Sequence, residues 1–295
     1  MKVSLWPHTS RPVDQILTEV AWADEQGWHG IWIADHYMPD SGATERLDGP
    51  LHEAWTLLPA VAAATHSARI GVLVAPTTVH HPALLAKRAA TLDHLSGGRF
   101  ILGLGAGWQI NEHAAYGFDL RAPKDRVDRF EEAIQIVSSL LREERTTFTG
   151  THFQITDAPC SPKPVQAALP ILVGTAGPRM LRITARHASH WNTWGTPEIA
   201  APKVAALHAA CDKVGRDPDT LHKSVNVMLD LQGTHPAPPN RVLSGSAEHL
   251  IDHLGQLAEL GFDEFILPSW NLGETVEERI EALTELRAAV LASVE

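Results

Sequence analysis

The chain lacks the features that would commit it to several large functional classes. It has 2 cysteines in 295 residues, Cys160 and Cys211, far apart and outside any CxxC spacing. Neither a disulfide framework nor a thiolate zinc site is therefore encoded, and both are expected as buried thiols. No window approaches the roughly 20 consecutive apolar residues of a membrane-spanning helix. The opening Met1-Lys2-Val3-Ser4-Leu5-Trp6-Pro7 has no long apolar stretch of the kind found in a signal peptide, so the expected location is the cytoplasm. Basic clusters are missing too: 24 Lys and Arg stand against 35 Asp and Glu, a net charge of −11, which argues against a nucleic-acid partner. GxSxG, P-loop and HExxH patterns are absent, which removes serine-hydrolase, NTPase and zinc-protease chemistry.

What is present is a repeating alternation. Short aliphatic or β-branched runs at 3–6, 30–34, 70–74, 100–104, 171–173, 190–193, 224–231 and 264–267 read as strands. Between them, helical periodicity marks 13–26, 52–65, 82–95, 124–141, 179–188, 200–214, 247–260 and 276–291. Gly27 follows the first of these helices, and the seventh is capped by Ser246 and closed by Gly261. Eight strands each followed by a helix fit a (β/α)8 TIM barrel, a single α/β domain over 1–295. An open doubly wound sheet alternates in the same way, so the count alone leaves both architectures open. Long connections at 35–50, 142–170 (with a predicted hairpin around Gly150) and 232–245 read as lids and rims at the C-terminal face of the strands.

In either architecture ligands sit at the carboxyl ends of strands. The second strand delivers Asp35-His36, a carboxylate beside a histidine able to move a proton near neutral pH. The fourth ends in Gly103-Leu104-Gly105-Ala106-Gly107-Trp108, where glycines admit close backbone approach, although GxGxG is not the dinucleotide fingerprint. The fifth ends in Gly174-Thr175-Ala176-Gly177-Pro178, and a proline at the first helical position leaves the neighbouring amides facing a phosphate or carbonyl. The third runs through Leu73-Val74 to Thr77-Thr78-Val79-His80-His81; core packing is expected for the first pair and a solvated loop for the two histidines.

Taken in order, these strand ends resemble the bacterial luciferase-like family, and within it the oxidoreductases that use the deazaflavin coenzyme F420. The match continues through His81-Pro82-Ala83-Leu84-Leu85-Ala86-Lys87, the run from Ala90 through Ser96-Gly97-Gly98-Arg99, His190-Trp191-Asn192 and Gly261-Phe262-Asp263-Glu264-Phe265. The resemblance implies a (β/α)8 barrel with the cofactor at the strand ends, Asp35 holding it and His36 facing the reacting carbon. It implies a non-proline cis peptide at Leu73–Val74 behind the ring, Asn111 as a ring or tail contact, Gly105, Ala106 and Gly107 as further cofactor-binding residues, and Gly174, Thr175, Ala176 and Gly177 as the cradle around the ring edge and first phosphate. The sugar-phosphate dehydrogenases of this group carry Glu where this chain has Trp108. An apolar substrate wall of Trp108, with Trp191 and Trp194, is expected in its place.

The leading expectation is thus an F420-dependent hydride-transferring oxidoreductase acting on a small organic substrate, with a cationic groove from Lys163, Arg179 and Arg182 for the acidic tail. The alternative is a monooxygenase of the same family using reduced FMN and oxygen; a non-catalytic flavin-binding protein is the third reading. The resemblance is also compatible with a homodimer.

Overall fold

The computed structural model describes residues 1–39, 48–231 and 241–293. Two of the expected rim loops fall in part at 40–47 and 232–240 and to that extent lie outside the described residues. Strand β1 (Lys2–Trp6), helix α1 (Val13–Glu25) and strand β2 (Gly30–Ile33) open the chain. Helix α2 (Ala54–Ala64) leads to β3 (Arg69–Val72) and the two-residue β4 (Ala75–Pro76), then to α3 (Pro82–Leu95) and β5 (Phe100–Gly105). Next come α4 (Ile110–Tyr116), α5 (Pro123–Arg142) and a hairpin of β6 (Arg145–Thr149) and β7 (Gln154–Pro159). Strand β8 (Ile171–Gly174), α6 (Pro178–His187), β9 (His190–Trp194) and α7 (Pro197–Asp212) follow. The chain ends with β10 (His222–Asn226), β11 (Met228–Asp230), β12 (Val242–Ser244), α8 (Ala247–Glu259), β13 (Glu264–Pro268) and α9 (Val276–Ala289).

With β3 and β4 taken as one interrupted strand, the described residues carry eight βα repeats, the alternation read from the sequence. Three details differ. The segment 224–231 is two strands, β10 and β11, rather than one, and α4 and β12 add elements that the sequence pattern does not mark. The seven residues of α4 are too few to show a helical period, and β12 has only three.

The chain folds as two compact units. The first comprises Met1–His8, Pro12–Trp32 and Thr175–Glu295. Its sheet is parallel: β1 pairs with β2 and β13, and β10 pairs with β13 and β9. Glu264, at the start of β13, is 1% exposed and accepts from Ser4 Oγ at 2.5 Å, Trp32 Nε1 at 2.9 Å and His222 Nε2 at 3.1 Å. Glu19 and Arg279 form a second buried pair at 2.9 Å, and Ser269 donates to the same carboxylate. A buried charge survives only with such partners. The caps fall where expected: Ser246 accepts from His249 N, and Gly27 and Gly261 carry φ of 76° and 86°.

The second unit holds Thr9–Arg11 and Ile33–Gly174, with β5 pairing in parallel to β3, β4 and β8. The Ser96-Gly97-Gly98-Arg99 run has a local explanation. Gly97 and Gly98 take φ of 62° and 86°, which turns the chain back so that Arg99 donates to the backbone oxygens of Ala62, Thr65, Ala68 and Ser96. One guanidinium thereby satisfies carbonyls that the end of α2 leaves open. Cys160 and Cys211 are buried thiols, as expected. Among the described residues no helix is long and apolar enough to cross a membrane.

Candidate active site

The site-forming residues of the second unit are organised by two carboxylates. His36, just past β2, places Nδ1 3.0 Å from Oε1 of Glu112. The other oxygen of Glu112 accepts from Tyr37 N at 2.8 Å. Glu112 is 1% exposed whereas the His36 side chain is 24% exposed, so a partly open histidine is anchored on a buried carboxylate. An acceptor at Nδ1 fixes the proton there in the neutral ring and leaves Nε2 to take or give a proton. Trp108, 49% exposed, stands edge-on to the imidazole with 5.6 Å between centroids.

Glu112 belongs to the short helix α4, whose start clamps the segment after His36. Gln109 Nε2 donates to Met38 O at 2.8 Å, and Asn111 Nδ2 donates to Pro39 O at 3.0 Å. Asn111 Oδ1 accepts from Glu112 N at 2.9 Å. Asn111, expected as a ring or tail contact, is thus engaged with its own chain at both ends of its amide. Behind it, His113 is held by Gln109 O at 2.6 Å on Nδ1 and by Thr78 Oγ1 at 2.8 Å on Nε2.

The second carboxylate, Asp35, is fully buried. Its Oδ2 lies 2.8 Å from Trp55 Nε1 and 2.7 Å from His80 Nε2. Its Oδ1 is buried and has no hydrogen-bond partner among the described residues. Trp55 is set by Glu53, the N-cap of α2, which accepts from Trp55 N and Thr56 N. The expectation of a solvated His80 is corrected here: the ring is 6% exposed, because a buried carboxylate needs donors. His81 is the exposed one of the pair, and its ring accepts from Ala83 N to cap α3. Burial, then the charges of Asp35 and Glu53, push the Tyr37 phenol well above its ordinary range, so it remains a neutral hydroxyl.

The Leu73–Val74 peptide bond is cis. Val74 lies over strand ends that have no Cβ atoms to exclude it: added Cβ atoms at Gly103, Gly105 and Gly174 would stand 3.0, 2.6 and 3.2 Å from its methyl groups. Leu73 is buried while Val74 is partly exposed. Gly107 has φ of 86°, and a Cβ there would meet Thr78 Oγ1 at 2.3 Å; Ala106 beside it is half-buried.

The first unit contains the other predicted positions. Thr175 is half-buried and its carbonyl accepts from Trp191 Nε1 at 2.8 Å, while Ala176 and Gly177 are exposed at the start of α6. Trp191 is fully buried and stacks on Phe262 at 5.8 Å, so it packs the interior rather than walling an open pocket. Trp194 stands with Trp6 and Trp270 at centroid distances of 5.6 and 5.9 Å. Lys163, in the second unit, donates to the backbone oxygens of Leu140 and Glu143 at the end of α5, so its amino group is committed to closing that helix rather than to a groove. Sequence reasoning missed Glu112 and His80 as partners of His36 and Asp35. The only local signal was that both are polar residues close to strand-end motifs.

A histidine anchored by a carboxylate, a buried carboxylate with one acceptor that no described residue fills, and a glycine-bedded valine thus lie at strand ends of an α/β fold. The chain belongs to the luciferase-like monooxygenase family, whose model matches residues 1–232. It is 32% identical over 211 residues to an F420-dependent glucose-6-phosphate dehydrogenase of Kineococcus radiotolerans, a match covering 70% of this chain and 61% of that relative's length. It is 28% identical over 277 residues to an F420-dependent hydroxymycolic acid dehydrogenase of Mycobacterium tuberculosis, covering 90% and 74%. The solved structure of an F420-dependent secondary alcohol dehydrogenase in complex with an F420-acetone adduct superposes with a TM-score of 0.82 at 19% identity, over 98% of this chain and 99% of that one. That likeness establishes the fold, the (β/α)8 barrel.

Proposed function

We propose that the chain is an F420-dependent oxidoreductase that transfers a hydride between the deazaflavin and a small organic substrate. The observation that carries this reading is the pair of carboxylate-organised residues His36 and Asp35, adjacent in sequence and opposite in task. The residues fit the group. Among the described residues no donor reaches the buried Asp35 Oδ1, an acceptor that a ring N–H or side-chain hydroxyl of the cofactor would satisfy. Val74, bedded on glycines, offers an apolar rise for a flat ring.

When bound, the deazaflavin would give a hydride from C5 in its reduced form or take one there in its oxidised form, and the protein would orient the two reactants and give or take the accompanying proton. His36 holds or takes that proton at Nε2, while Glu112 keeps Nδ1 occupied and the ring from rotating. Trp108 shields one side of the imidazole from water and gives the substrate an apolar edge to lie against. The names of the similar dehydrogenases support the deazaflavin; the substrate class they act on is not carried over, because Trp108 stands where the sugar-phosphate enzymes carry Glu.

The test is a titration of the purified protein with oxidised F420 and, separately, with FMN, followed by ligand fluorescence. F420 bound at least about tenfold more tightly than FMN, roughly 1.4 kcal/mol, supports the reading. A preference for FMN moves the chain to the oxygen-using branch of the family.

A further inference from the structure

The partners of Asp35 are arranged more specifically than burial of a carboxylate requires. We infer, building on the deazaflavin reading, that His80 and Arg88 are positioning residues that hold Asp35 with Oδ2 doubly occupied and Oδ1 reserved for a donor of the bound cofactor.

The direction of each hydrogen bond follows from chemistry. Arg88 Nη1 lies 3.3 Å from His80 Nδ1. A guanidinium carries donors only, so Nδ1 is the acceptor and bears the lone pair. The ring proton is then on Nε2, which faces Asp35 Oδ2 at 2.7 Å and donates to it. With the opposite tautomer, an N–H would point at the guanidinium and a lone pair at the carboxylate, two repulsive contacts in place of two attractive ones.

Trp55 Nε1 is also a donor only, and it reaches the same Oδ2 at 2.8 Å. Both donors therefore converge on one oxygen, and the other is left buried and unpartnered. A buried acceptor without a donor is costly in the free protein, which makes it a place where a ligand donor gains more than it would at a solvated carboxylate. Arg88 also sits over the Trp55 ring at 5.6 Å, so one side chain braces both donors. Among the described residues, Glu53 and Glu112 act on the Tyr37 phenol together with Asp35 and Arg88. Arg88 itself is on the exposed side of α3, so it can be replaced without opening the core.

The experiment uses histidine labelled with nitrogen-15 in the cofactor-free protein, together with F420 titration, for the wild type, Arg88→Met and Arg88→Lys. The expected result is a pure Nε2–H tautomer for His80 in the wild type, a mixture of tautomers in Arg88→Met, and recovery in Arg88→Lys. F420 affinity should fall about tenfold in Arg88→Met, the size of one lost hydrogen bond to a charged group, with the melting temperature unchanged. His80→Gln, whose amide can still donate to Asp35, should bind F420 more tightly than His80→Ala. An unchanged tautomer in Arg88→Met, or a changed tautomer with undiminished F420 affinity, would overturn the inference. A wild type that fails to bind F420 would overturn the functional reading and the cofactor's place at Oδ1. The two failures are distinguishable because the tautomer readout needs no cofactor.

Discussion

His36 and Glu112, 76 residues apart in sequence, meet with Nδ1 of the imidazole 3.0 Å from Oε1 of the carboxylate. The carboxylate is buried and the ring is partly open, so the pair has a fixed side and a working side. Its consequence is that the neutral ring carries its proton on Nδ1 and its lone pair on Nε2, the nitrogen proposed to handle the proton.

Replacing His36 with Ala is expected to lower turnover on the order of 10²–10⁴-fold, the usual contribution of a positioned acid or base, while F420 affinity changes little. Glu112→Gln should lower turnover by a smaller factor and leave binding intact. Steady-state assays on a substrate that the wild type turns over, with F420 titrations alongside, check both. Equal turnover in the His36 variant removes it from the proton path.

Glucose 6-phosphate should not be a substrate. Trp108 projects an exposed indole beside His36, at the position where the family resemblance implies Glu in the sugar-phosphate enzymes. Following F420 reduction with and without the sugar phosphate tests this directly, and sustained turnover that depends on the sugar phosphate would contradict it.

Acid should destabilise the protein partly through Glu264. Burial alone would raise its carboxyl, but hydrogen bonds from His222, Ser4 and Trp32 outweigh burial and hold it below the usual range. A carboxylate depressed in the folded state stabilises above its unfolded pKa, and that stability is lost as pH falls through the folded value. Glu264→Gln should cost about 2 kcal/mol at pH 7, and its stability should change less than the wild type's between neutral pH and about pH 3. Denaturant unfolding across that range is the measurement.

Two glycines of β5 should differ in sensitivity. A Cβ at Gly103 would lie 1.9 Å from the Val72 carbonyl oxygen, which is backbone, whereas one at Gly105 meets a Val74 methyl at 2.6 Å. Gly105→Ala should destabilise by about 1–3 kcal/mol, as overpacking does, and weaken F420 binding by tilting Val74. Gly103→Ala should cost more. Chemical denaturation ranks the two, and the opposite order would show that the β3–β5 backbone yields more readily than the side chain.

The βα alternation was legible because strand runs and helical periods are local signals: α3 falls at the predicted bounds, and the caps at Ser246 and Gly261 are single-residue chemistry. His36 and Asp35 were legible as a motif at a strand end. Their partners were not, because Asp35–His80 and His36–Glu112 span 45 and 76 residues, and no local pattern tells a buried polar partner from a solvated one. Trp191 shows the converse: an aromatic residue near a strand end reads as a pocket wall, yet its burial against Phe262 depends on a residue 71 positions away.

Asp35 and His36 are proposed to divide cofactor holding and proton handling between them. A crystal structure of the protein with F420 tests this most directly. The expected result is a cofactor N–H or hydroxyl within hydrogen-bond distance of Asp35 Oδ1, and His36 Nε2 facing C5 of the ring. A bound cofactor that leaves Asp35 Oδ1 without a donor, or that turns C5 away from His36, would contradict it.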